Sequence, residues 1–129
     1  MIQVIIDWIF RIIGLSQKLQ VLCHRAFILP NGPECYLINI TNLSPQRDAE
    51  ITHIWMACDH EIHVLNPSRP LPRRLKPEES WETWIEVNKL PNSVQSNAFN
   101  LARVRLSNGK ILKSKKNESV PSAGFIPGS

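Results

Sequence analysis

The densest chemistry in the chain lies at Cys58-Asp59-His60-Glu61-Ile62-His63, with His53 five residues ahead of Cys58. Thiolate and imidazole are good ligands for zinc or copper, and His53, Cys58, His60 and His63 would be enough to close a tetrahedral site. The spacing opposes it. On one strand His60 and His63 project to opposite faces, so only a bend would bring them together. The helical H-E-x-x-H of zinc proteases is not matched either. Cys58 and His60 are two apart and share a strand face, which puts a thiol beside a base. That face also carries Ile54, Met56 and Ile62, which marks Cys58 as an inert core thiol. The chain has no G-x-S-x-G elbow, and its five glycines leave little material for a phosphate-cradling loop. Glu78, Glu79, Glu82 and Glu86 read as a solvated edge beside Arg73, Arg74 and Lys76. The expectation is a protein without catalytic residues, cofactor or metal, with the His53, Cys58, His60, His63 quartet as the metal-binding alternative.

A second chemistry is electrostatic. Residues 1–99 hold nine Lys/Arg against ten Asp/Glu, and residues 100–129 hold six against one. Arg103 and Arg105 share a strand face, as do Lys113 and Lys115. Across the Asn108-Gly109 hairpin they would merge into one patch for phosphates or anionic lipid headgroups. Lysines on an edge strand also block edge-to-edge pairing, and that simpler role is the expected one. No aromatic is interleaved to stack bases, Phe99 being the nearest, so nucleic acid is not the expected partner.

The elements that carry these residues fall into two kinds. The stretch MIQVIIDWIFRIIGL has eleven apolar residues in fifteen, and its polar Gln3, Asp7 and Arg11 are spaced by four. That spacing predicts an amphipathic helix over 1–16 with one polar face. Ile5, Trp8, Ile9 and Ile12 fill the apolar face, which would dock on the domain itself, on a second copy, on a protein partner or at a membrane interface. From residue 17 to 117 the pattern is β. KLQVLCHRAFIL, ECYLINITNL, EITHIWMAC, HEIHVLN, SWETWIEV, FNLARVRL and KILKSKK alternate and are separated by turn clusters. Asn108-Gly109 is the strongest hairpin signal. Trp81 and Trp84 have opposite parity, so one faces the core and Trp84 is the candidate surface anchor. Residues 118–129 are turn-rich and read as an irregular tail.

About seven short strands with frequent turns predict a mainly β, antiparallel two-sheet sandwich. A chain of 129 residues has room for one such domain and not for two large ones. The cues ECYLINITNLSP, EITHIWM, RRLKPEESWETWIEV and ARVRLSNGKILKS resemble the immunoglobulin/fibronectin-type sandwich of the small bacterial kind. The third resembles the L-x-P-G-E-S segment of such domains, with Glu78 where Gly is usual. The resemblance covers about two-thirds of the chain. It implies an immunoglobulin-like architecture and a binding role. The antibody-type Cys pair is absent: Cys35 and Trp55 stand in suitable places, but 99–106 has no second Cys. Three cysteines without a CxxC fit a reducing compartment. Residues 1–15 lack a signal peptide's charged start and cleavage site. The expected protein is cytoplasmic, with peripheral membrane contact through the first helix as an option. It is a non-enzymatic interaction module that meets a protein partner or its own copy.

Overall fold

The computed structural model describes residues 18–28, 31–118 and 124–126. Among them the chain is mainly β. The first long strands are β1 (Leu19–Ile28), β2 (Glu34–Asn42) and β3 (Ala49–Ala57). Short strands β4 (Glu61–His63) and β5 (Arg73–Leu75) follow, then β6 (Ser80–Glu86) and β7 (Ala102–Leu106). The chain continues through β8 (Ile111–Lys113), β9 (Lys115–Lys116) and β10 (Gly124–Ile126). β5 and β9 were not expected as separate strands, and β10 lies in the stretch read as an irregular tail. The predicted helix over 1–16, with Ile5, Trp8, Ile9 and Ile12, lies outside the described residues.

The strands form two sheets. In the first, β2 lies between β1 and β6, antiparallel to both. The free edge of β1 takes β9 and then β10, each parallel to it. In the second sheet, β3 and β7 form the centre, with β8 outside β7. The other edge of β3 pairs with β5 at Ala49–Ile51 and with β4 at Trp55–Ala57.

The two inner faces share one core. Tyr36, Ile38 and Ile40 alternate inward from β2 and are fully buried, as the spacing predicts. They pack in the same cluster as Ile51, Ile54 and Met56 of β3 and Val104 and Leu106 of β7. Unbroken alternation along β3 would place Ile51 on the face of His53 and Trp55. The register shifts between Ile51 and His53, and this bulge lets Ile51 and Ile54 both point inward.

Three polar groups fix the connections. The Tyr36 hydroxyl donates to the Gln95 carbonyl at 2.5 Å and accepts from the Ala98 amide at 3.3 Å, pinning the loop between β6 and β7. Buried Asn42 donates from Nδ2 to the Arg47 carbonyl at 2.8 Å and accepts at Oδ1 from the Ser44 amide at 3.0 Å. Ser114 stands where the chain leaves the second sheet for the first. Its Oγ donates to the Phe99 carbonyl at 2.6 Å and accepts from the Ala102 amide at 3.1 Å.

Candidate functional site

The outer face of the second sheet gathers the cationic and aromatic side chains. Strand register sets the grouping, because directly opposed residues on neighbouring strands lie on one face. One row runs His63, Trp55, Arg103, Lys113 across four strands. The next row holds His53, Arg105 and Ile111. The His53 and His63 rings are 6.4 Å apart, and Trp55 lies 6.1 Å from His63.

Exposure sorts these residues into a floor and a surface. Trp55 is only 8% exposed and forms the floor. His53, His63, Arg105, Lys113 and Ile111 are exposed, and Arg103 is half-buried. Backbone contacts hold several in place. Arg103 Nη1 donates to the Asn100 carbonyl at 2.7 Å. Thr52 donates to the Arg105 carbonyl at 3.2 Å, and its Oγ1 lies 3.0 Å from His53 Nδ1. Glu61 is the acidic neighbour, 3.6 Å from His63 Nε2. Two guanidiniums, an ammonium and an exposed isoleucine thus share one predominantly cationic surface.

The predicted basic patch is corrected in one respect. Arg103, Arg105 and Lys113 do share a face, but Lys115 does not join them. The chain crosses at Ser114, and Lys115 pairs with Leu22 at the edge of the first sheet. Lys116 follows it there, with its Nζ 5.1 Å from the Phe99 ring. A continuous strand over 110–116 would have kept Lys113 and Lys115 together. The sequence reasoning also missed Trp55 and His63 as neighbours of the arginines. No local signal shows them, since they stand some forty to fifty residues earlier in the chain.

The metal alternative is divided by the fold. His53 and His63 lie on the outer face. Cys58, just past β3, is half-buried against the core, and His60 is exposed in the turn before β4. Among the described residues, no group of three or more His, Cys, Asp or Glu is placed to hold a metal ion. Burial first, then the charge of Asp59, raises the Cys58 thiol above its ordinary value, which disfavours the reactive thiolate.

Trp84 belongs to a different surface. It projects from the outer face of the first sheet and packs with Ala26, Cys35 and Leu37. The Arg69 guanidinium covers its ring at 5.2 Å, while Arg69 Nε donates to the Glu82 carbonyl at 3.1 Å. Trp84 also lines a groove of 360 Å³ with His63, Leu65 and Lys89, between the edges of the two sheets.

No family model matches the chain, and no curated protein or solved structure matches it. Among the described residues, no helix is long and apolar enough to cross a membrane.

Proposed function

We propose that this protein is a non-enzymatic binding module that lays the outer face of its second sheet against an anionic surface bearing lipid phosphates. The observation that carries the reading is the register that aligns Arg103, Arg105 and Lys113 on one face around exposed Ile111. Cations with an apolar side chain among them fit a headgroup layer, where each basic residue contributes about 1 kcal/mol. Base stacking is less well served, because the aromatic of this face, Trp55, is a buried floor.

The sheet order also supports an immunoglobulin-like fold. The first, second and sixth strands oppose the third, seventh and eighth, an arrangement found in immunoglobulin sandwiches. That fold hosts many functions, so the surface chemistry and not the fold carries the proposal.

Sedimentation with vesicles tests it. The full chain should pellet with vesicles containing phosphatidylserine and not with phosphatidylcholine alone, and binding should fall steeply as salt rises. Neutralising the face with Arg103→Gln, Arg105→Gln and Lys113→Gln together should weaken binding on the order of a hundredfold. Circular dichroism should be unchanged, since these side chains point away from the core. Binding to neutral and anionic vesicles alike would overturn the reading. Tighter, salt-sensitive binding to single-stranded RNA would replace lipid with nucleic acid as the partner.

A further inference from the structure

A pocket wraps the edge of β6 that no other strand pairs with among the described residues. Its volume is about 420 Å³, within the range of small-molecule sites, roughly 300–1,000 Å³. Asn39 opposes Glu82 across β2 and β6 on the outer face of the first sheet, and Thr41 opposes Ser80. This end of the face is polar, beside the buried cluster of Ala26, Cys35 and Leu37. Trp81 is half-buried against the shared core and lines the pocket from the other side of the strand. Arg69 and Arg73 close it from the chain between β4 and β6.

The charges of this pocket are unevenly matched. Arg73 Nη2 donates to Glu79 Oε2 at 3.0 Å, so that cation has its anion. Arg69 has none. Its Nε donates to the Glu82 carbonyl at 3.1 Å, its Nη1 donates to the Ser68 carbonyl at 3.2 Å, and its guanidinium lies over the Trp84 ring at 5.2 Å. These contacts hold the fork in place without neutralising it. Among the described residues, Arg69 Nη2 has no partner and the Glu82 carboxylate forms no ion pair. Asn39 Oδ1 accepts from Thr41 Oγ1 at 3.2 Å and from Ser80 Oγ at 3.4 Å, which leaves the Asn39 amide donors for a ligand. A fixed cation, a carboxylate, an amide, a hydroxyl and an indole wall thus share one pocket.

We propose that this pocket binds a sugar acid, a pyranose ring bearing one carboxylate. The Arg69 fork takes the ligand carboxylate, which guanidinium geometry matches. Ring hydroxyls donate to Glu82 and exchange hydrogen bonds with Asn39 and Ser80, and the C–H face of the ring lies toward Trp81. Charge selects a monoanion. A phosphate dianion would meet the Glu82 carboxylate with Arg69 as its one unmatched cation. The amide, the hydroxyl and the indole select a sugar, because a plain carboxylate or a small amino acid would leave them unused. The site shares no residue with the lipid-facing surface, and neither reading rests on the other.

Titration calorimetry on the full chain with sodium glucuronate and sodium galacturonate tests this, with glucose, acetate and glycine as comparators. One of the two uronates should bind saturably, about tenfold or more tightly than any comparator. In NMR spectra the Trp81 indole and Asn39 side-chain amide signals should shift with that uronate while the Trp55 indole stays. Arg69→Gln should cost about tenfold or more in affinity, the scale of hydrogen bonds to a charged group, with unchanged circular dichroism. Arg69→Lys, which keeps the charge and loses the fork, should recover only part of the binding. No saturable binding of either uronate up to about 20 mM, beyond even millimolar affinity, would overturn the proposal. Acetate or glycine binding as tightly as the uronates would overturn it as well, leaving a bare anion or amino-acid site. So would shifts confined to other surfaces, or a folded Arg69→Gln chain that binds as before. If Arg69→Gln loses its fold, Glu82→Gln decides: it should weaken uronate binding severalfold, and unchanged affinity would overturn the assignment.

Discussion

The three cysteines show how position, and not residue type, sets reactivity. Burial pushes the Cys23 thiol up to about 12, with Cys35 adding to the effect. Burial, then the charges of Glu34 and Glu86, pushes Cys35 up to about 12. Released into water, each thiol would ionise near its usual 9.0. The folded values are the raised ones, so this stabilisation is whole below about pH 9 and is lost as pH climbs toward 12. Each thiol contributes a slope of up to about 1.4 kcal/mol per pH unit. The urea midpoint should therefore fall steadily between about pH 9 and 10.5, and Cys35→Ala should make that fall shallower. A midpoint that ignores pH over this range would mean that the thiols are not buried as described.

At the scale of elements, the sequence read well where one face of a strand is apolar and failed where strands bend or change partner. β1, β2 and β6 start and stop within a residue or two of the predicted runs, because their alternation has a period of two and turn residues flank it. The bulge after Ile51 turns that residue to the face opposite the one that unbroken alternation gives, and no residue type there announces it. The crossing at Ser114 divided a lysine run that looked continuous. Its cause is a pair of long-range hydrogen bonds to Phe99 and Ala102, which a local pattern does not contain. Glu78 is the instructive exception. It stands where the resembling sandwiches carry Gly, and its φ is 65°, a conformation that suits Gly and strains other residues. The Glu79 amide bonds back to the Lys76 carbonyl at 3.0 Å, closing a tight turn before β6. Relief of that strain should outweigh the added freedom of the unfolded chain. Glu78→Gly should stabilise the protein by about 1 kcal/mol and raise Tm by several degrees in thermal unfolding. A lower Tm would mean that the Glu78 side chain makes a compensating contact.

For the whole molecule, the two outer faces differ sharply. One is apolar and closed, and the other is cationic and open. Little of this contrast was legible in the sequence. Trp55 and Arg103 face each other only because β3 pairs with β7, a contact between distant parts of the chain. The inner core was easier to read, since the alternation within a strand marks its buried side wherever no bulge interrupts it. One more consequence follows from the edge of the first sheet. β9 and β10 run parallel to β1, so tension applied at the two chain ends pulls these strands in opposite directions along a common axis. Their hydrogen bonds would then bear the load together. The antiparallel β7–β8 hairpin pulled apart at its open end would instead unzip bond by bond. Stretched end to end in a single-molecule experiment, the chain should yield at a higher force than when that hairpin is pulled open, which makes the edge of β1 a mechanical clamp.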